Sequence, residues 1–424
     1  MSATGLMQRA RGIAGRPVVI SGGATVLIQF GNLVTGVVLA RALGPEVRGH
    51  VAALAALSLS VAILTGLSLA EASMFIGARN AQKLRAAWGS FLVILLLTMT
   101  VAMGVLVAAT PLLMQLGATS NFADVAPWIL CAGLSQTANF VQMLARSLER
   151  FSAWFWLRVM GTWIYALLLF ALAITVGLNA RWAGIALCAS ALAVSVAGAR
   201  LMFRRVFPIT PSREIAGQII RYGAKMHPAT IALLARDQLD KVILILVAPA
   251  GEVGKYVVAI ALSSLIVSGA YSVDQAIFPK LSAILDFGER RSAYLHTMRR
   301  IAPLLALAAP AILLTSPAAA ALAFGRRFAD QPWLIAAGAA LGLLSTVKVL
   351  ANIGLKIENQ PGVLGANEAA GSIVGLVALP FAVKAIGIMG APLASGLGCL
   401  VSLAFTLRAL LRQYSGPRRA QSAA

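Results

Sequence analysis

Residues 89–110 read GSFLVILLLTMTVAMGVLVAAT, an apolar run without a single charged side chain. Crossing the hydrocarbon of a bilayer as a helix takes about 20 residues at 1.5 Å each, and this run supplies them. A barrel strand would alternate apolar and polar residues, and nothing alternates here. A helix also pairs every backbone N–H and C=O within itself, as lipid requires. The run predicts a transmembrane helix.

Runs of the same kind lie on either side of it, at 18–40, 51–77, 125–145, 159–178, 182–202, 228–248, 257–278, 301–322, 333–354, 363–383 and 391–411. The expected fold class is an all-α integral membrane protein with about twelve transmembrane helices. With 59% hydrophobic and 12% charged residues over 424 positions, the chain has too little polar surface for a soluble protein. The first run follows basic residues, and Ala40-Arg41-Ala42 imitates a cleavage site, but the run is too long for a signal peptide and holds Gln29 and Asn32. It reads as an uncleaved first helix.

Lys and Arg crowd into every second gap: Arg79, Lys83 and Arg85; Arg146, Arg150 and Arg158; Arg200 to Lys225; Lys280 to Arg300; Lys348 and Lys356; Arg408 to Arg419. The alternate gaps hold only Arg41, Arg48, Arg181, Lys255, Arg326, Arg327 and Lys384. Cytoplasmic loops carry the excess of Lys and Arg, so both termini are expected in the cytoplasm, with Asn121 and Ala329 on loops across a cytoplasmic (inner) membrane. The net charge of +21 is spread over short loops without stacking aromatics. It suits anionic membrane lipids and not nucleic acid. Cys131, Cys188 and Cys399 lie inside the runs as small packing residues, and no disulfide, metal or cofactor pattern is present.

Shifted by 206 residues, the sequence lays Glu46 on Glu252, Val47 on Val253, Val51 on Val257, Ala53 on Ala259 and Ser58 on Ser264. Two halves are therefore expected: a bundle over 1–205, a cytoplasmic linker over 206–226 that is basic and holds Pro208 and Pro211, and a second bundle over 227–424. Internal repeats with a site between them are a transporter pattern. The fold expectation is two pseudo-symmetric six-helix bundles around a central cavity.

The same regions resemble Wzx-type polysaccharide flippases. The resemblance rests on Leu39-Ala40-Arg41-Ala42-Leu43-Gly44-Pro45, on Asp240 followed by Glu252-Val253-Gly254-Lys255-Tyr256, and on Phe278-Pro279-Lys280-Leu281-Ser282, Phe324-Gly325 and Gly387-Ile388-Met389-Gly390-Ala391, in that order. His50 and Pro392 depart from the residues such a pattern would place there. What the resemblance implies is the multidrug/oligosaccharidyl-lipid/polysaccharide exporter fold, moving a lipid-linked oligosaccharide outward by alternating access. A polysaccharide polymerase or glycosyltransferases would then be its neighbours in biosynthesis.

Charges inside the runs are where chemistry would sit, since each costs about 2.5–3.5 kcal/mol near the bilayer centre. Arg236-Asp237-Gln238-Leu239-Asp240-Lys241 is the densest cluster. Helical spacing pairs Arg236 with Asp240 and Asp237 with Lys241. They either neutralise each other or line the cavity, where Arg236 could meet a phosphate. Glu71, Asp274, Lys348 and Glu368 lie toward cytoplasmic span ends and read as snorkelling residues or as the rim of a hydrated vestibule. A diphosphate cargo needs cations, and Arg79, Arg146 and Lys348 are placed for that role. Arg290 reads as a solvated loop residue. Pro303, Pro310 and Pro317 predict a bent ninth span, and Gly338/Gly342 and Gly371/Gly375 predict close helix packing.

A cation-coupled multidrug antiporter of the same superfamily is the closest alternative. It would keep acids in the first bundle, where only Glu71 qualifies. A membrane glycosyltransferase or polymerase would need acids on a sizeable aqueous loop. His50, His227 and His296 fall on separate loops, with no nucleophile beside them. No enzyme is expected.

Overall fold

A computed structural model describes residues 3–79, 84–206, 210–234 and 238–415. The described residues are helical apart from corners and short 3-10 turns. In chain order the helices are α1 (Ala3–Gly66), α2 (Leu69–Arg79), α3 (Leu84–Ala108), α4 (Thr110–Gly117), α5 (Phe122–Ser147), α6 (Phe151–Thr175) and α7 (Ala180–Val206). They continue as α8 (Arg213–Leu234), α9 (Asp240–Val247), α10 (Ala250–Ser282), α11 (Phe287–Phe324), α12 (Pro332–Ile357), α13 (Pro361–Ile386) and α14 (Gly390–Ser415). Among the described residues, eight helical segments are long and apolar enough to cross a membrane. Two of them contain a corner. α1 turns at Gly44, whose φ of 72° a residue with a Cβ rarely adopts, and the last segment holds both α13 and α14.

Local chemistry sets several boundaries. The Asn121 side chain accepts from the Ala123 N–H at 3.0 Å and starts α5, while Asp286 accepts from the Glu289 N–H at 2.7 Å and starts α11. Gly325, at φ 101°, ends α11. The expected span 51–77 is interrupted: Leu67 and Ser68 have φ of 47° and 53°, separating α1 from α2. The stretch expected as linker is helical from Arg213 onward. His227, expected on a loop, is buried within α8, 3.4 Å from the Ser68 hydroxyl. Pro303, Pro310 and Pro317 all lie inside the continuous 38-residue helix α11.

Trp88, Phe91, Leu95, Val141 and Ile219 form one apolar core of the first half. Tyr256, Phe324, Leu334 and Ile335 form a core of the second, and Ala40 and Ala52 of α1 join it. α1 thus links the halves. Large side chains such as Leu97, Leu167, Leu307, Leu314 and Phe381 are exposed, as a lipid-facing surface requires. The expected glycine faces pack closely. A Cβ on Gly338 would lie 2.6 Å from the Ala259 carbonyl oxygen, and one on Gly371 would lie 2.4 Å from that of Gly398.

One close approach between the halves is reciprocal. A Cβ on Gly49 would fall 2.0 Å from the Ala250 carbonyl oxygen, and one on Gly254 would fall 1.9 Å from that of Pro45. A shift of 205 residues, one less than the sequence offset, maps this contact onto itself. Beside it, the Arg41 guanidinium crosses to donate to the carbonyl oxygens of Leu322 and Ala323 in the last turn of α11. Those carbonyls have no onward helical partner and carry the negative end of the helix dipole.

Candidate functional site

A cavity of about 500 Å³ opens among α9, α10, α12, α13 and α14, with Gln29 of α1 on its wall. Charge enters it as two ion pairs. Lys348 of α12 lies 2.8 Å from Glu368 Oε2 of α13, and Lys241 lies 3.2 Å from Asp240 Oδ1 at the start of α9. Lys348 and Asp240 are 6% and 7% exposed, too deep for either to reach bulk water as a snorkelling group. Of the two readings of Lys348 and Glu368, snorkelling residues or the rim of a vestibule, the first gives way to an ion pair on the cavity wall.

Each carboxylate is held by more than its lysine. Glu368 Oε1 accepts from Asn352 Nδ2 at 2.8 Å, Asn352 Oδ1 accepts from the Thr406 hydroxyl at 3.2 Å, and that hydroxyl accepts from Asn367 Nδ2 at 3.3 Å. This chain ties α12, α13 and α14 together behind Glu368. Asp240 Oδ2 accepts from the Tyr256 hydroxyl of α10 at 2.7 Å. Carboxylates with little access to water persist only when paired and hydrogen-bonded, and these are both. Ser263, Ser264, Ser345, Ser372, Ser395 and Ser402 complete a polar lining suited to hydroxyl-rich cargo.

Sequence reasoning paired Asp240 with Arg236 and Lys241 with Asp237. Arg236 and Asp237 lie outside the described residues, and the described partners of Asp240 are its neighbour Lys241 and Tyr256. Tyr256 and Asn352 were missed as site residues. The usable signal was a hairpin register: Lys348 and Glu368 stand at similar depths on either side of the Ile357–Pro361 corner, so adjacent helices bring them level.

The other expected site residues lie elsewhere. Asp274 of α10 pairs with Lys356 at 2.5 Å and is 9% exposed. Glu71 faces a separate cavity of about 240 Å³ in the first half, with Thr98, Ser135, Gln136, Asn139 and Thr230. Arg79 ends α2, with its side chain outside the described residues. Arg146, expected as a headgroup cation, is exposed at the end of α5 and does not line the 500 Å³ cavity. Arg290 is not a solvated loop residue: its guanidinium makes two bonds to Glu358, at 3.0 and 2.7 Å, and one to the Ile284 carbonyl oxygen.

The fold is that of an all-helical, multi-pass membrane protein. It is similar to the inward-facing conformation of a multidrug resistance MATE family transporter of the MOP superfamily, with a TM-score of 0.75, 16% identity, and 96% of this chain and 100% of that chain covered. An outward-facing conformation of a multidrug resistance MATE family transporter matches at a TM-score of 0.63, 16% identity, and 95% and 96% of the two chains. The inward closed conformation of the lipid II flippase MurJ matches at 0.71, 12% identity, and 93% and 87%. No curated protein matches the sequence. The model of a family described as "Polysaccharide biosynthesis protein" matches residues 15–285, and the chain belongs to that family.

Proposed function

We propose that this protein carries a lipid-linked, polyprenyl-diphosphate oligosaccharide or polysaccharide precursor from the inner to the outer leaflet of the cytoplasmic membrane by alternating access, without covalent chemistry. The observation that carries the reading is a pair of lysines, Lys348 buried and Lys241 partly buried, facing one serine-lined cavity and each held by a carboxylate. An incoming diphosphate competes with Glu368 and Asp240 for those ammonium groups. The cavity thus offers cations to an anion without carrying a large uncompensated charge when empty. Family membership supports the cargo class.

In this reading the chain makes twelve crossings in two pseudo-symmetric bundles, 1–205 and 227–424, joined through 206–226. The corner-containing segments count as two crossings each. α5 provides one more, and α8 with α9 another. The reciprocal Gly49/Gly254 contact supports the pseudo-symmetry and a state closed at its outer end. Both termini then face the cytoplasm. On a background lacking Cys131, Cys188 and Cys399, an impermeant thiol reagent should label Asn121→Cys and Arg327→Cys in intact cells and spare Arg213→Cys. Labelling of Arg213→Cys would reverse the orientation.

Glu71, in its small polar cavity, is the observation that favours a cation-coupled antiporter. Deleting the gene separates the two. Accumulation of lipid-linked oligosaccharide in the inner leaflet, with unchanged drug susceptibility, is expected; drug hypersensitivity with normal surface polysaccharide would overturn the flippase reading.

A further inference from the structure

The corner between α5 and α6 gathers positive charge that makes no ion pair among the described residues. Arg146, in the last turn of α5, and Arg158, in the second turn of α6, both lie over the Trp154 ring, their guanidinium carbons 5.8 and 5.0 Å from its centroid. Among the described residues no carboxylate lies within ion-pair distance of either guanidinium. Glu149 is exposed at the corner and its backbone N–H bonds to the Arg146 carbonyl oxygen, while Arg150 donates to the Leu201 carbonyl oxygen. The indole Nε1–H of Trp154 is buried and has no acceptor. Two guanidiniums therefore share one aromatic ring without a described acid between them.

Cation–π contact explains why Trp154 tolerates the arginines but not why two like charges share one ring. An oxyanion would offset the two like charges, because it accepts several donors at once and Arg presents a planar fork to it. Depth identifies its source. Arg158 lies about 10 Å along α6 from Phe151 at 1.5 Å per residue. Phe151, Trp154, Phe155 and Trp156 flank it, the aromatic composition of a membrane–water boundary. The span expected from the sequence begins at 159, which puts Arg158 at the boundary where lipid phosphates lie.

We propose that Arg146, Arg158 and Trp154 form a binding site for the phosphate of a membrane lipid, separate from the 500 Å³ cavity and independent of what that cavity carries. A phospholipid headgroup and the diphosphate of a polyprenyl carrier offer the same oxygens, so the test must distinguish them.

The full chain is reconstituted in phosphatidylcholine nanodiscs doped with phosphatidylglycerol, and retained lipid is counted by native mass spectrometry after release. Wild type should retain phosphatidylglycerol at least fivefold over phosphatidylcholine, and Arg146→Gln with Arg158→Gln should abolish that preference. Arg146→Lys with Arg158→Lys preserves charge, guards against misfolding, and should keep part of it; Arg408→Gln, an exposed arginine elsewhere, should keep all of it. Displacement of phosphatidylglycerol by geranyl diphosphate, but not by inorganic pyrophosphate, would support a prenyl-diphosphate lipid as ligand. Resistance to both would support a phospholipid. Equal retention by wild type and the double Gln variant, with wild-type melting behaviour, would overturn the site.

Discussion

Lys348→Met is expected to lower both the amount of folded protein in the membrane and its transport, and adding Glu368→Gln is expected to restore only the first. Lys348 is 6% exposed and sits 2.8 Å from Glu368. Removing one partner of a buried pair typically costs about 3–5 kcal/mol, because the other charge stays desolvated. Neutralising both leaves Asn352 able to bond the amide oxygen that Glu368→Gln introduces, so the α12–α13–α14 chain through Thr406 survives. Membrane abundance and melting temperature should therefore recover in the double variant.

Transport should not recover, because the cavity has lost a cation that the diphosphate needs. Lys348→Arg should retain a measurable fraction, since charge remains while the longer fork strains the fit. The measurement is surface polysaccharide per unit of membrane-inserted protein in a deletion background. A double variant with wild-type transport would reduce the pair to a structural brace and leave Lys241 as the cavity's described lysine.

The helical membrane fold was legible because lipid permits few solutions: an apolar run of about 20 residues without alternation has to be a helix. The glycine pairs 338/342 and 371/375 were legible for a related reason, as small residues four apart make a face where backbones can meet. The break at Leu67–Ser68 was not, because neither residue is Gly or Pro and the left-handed backbone there is imposed by tertiary contacts. Gly223 of α8 packs on the Leu67 carbonyl oxygen, and Ser68 bonds to Thr230 at 2.7 Å. The start of α8 was hidden by Pro208 and Pro211, which read as linker although a helix can begin directly after them. For the site, the residue types were legible and their partners were not. Intramembrane charge marks a residue as costly, but whether Lys348 reaches water or Glu368 depends on helix rotation. Tyr256 lay in the stretch that carries the resemblance, but nothing marked it as a partner of Asp240, since a tyrosine in an apolar helix reads equally well as core or as interfacial belt.

Gly254→Ala and Gly49→Ala are each expected to reduce transport at least tenfold while leaving the protein inserted. Both added methyl groups would meet backbone, the Pro45 and Ala250 carbonyl oxygens at 1.9 and 2.0 Å, and backbone cannot rotate away as a side chain can. The helices must separate at this crossing, and Arg41 would then be drawn off the α11 carbonyls that it caps. In the reading of an outer end that closes while the cavity loads from inside, such a protein cannot reseal and is biased toward the outward-open state. A ligand-free equilibrium needs only about 1.4 kcal/mol for a tenfold shift, well within what a backbone clash supplies. Gly251, next to Ala250 in the same segment but with open space around its Cβ direction, provides the control: Gly251→Ala should be nearly silent. The direct readout is Ser264→Cys on the cavity wall, in a background without the three native cysteines. Impermeant reagent added outside should label it faster in Gly254→Ala than in the parent. Unchanged labelling together with normal transport would mean that the crossing opens and closes without needing the glycines, and would place the outer seal elsewhere.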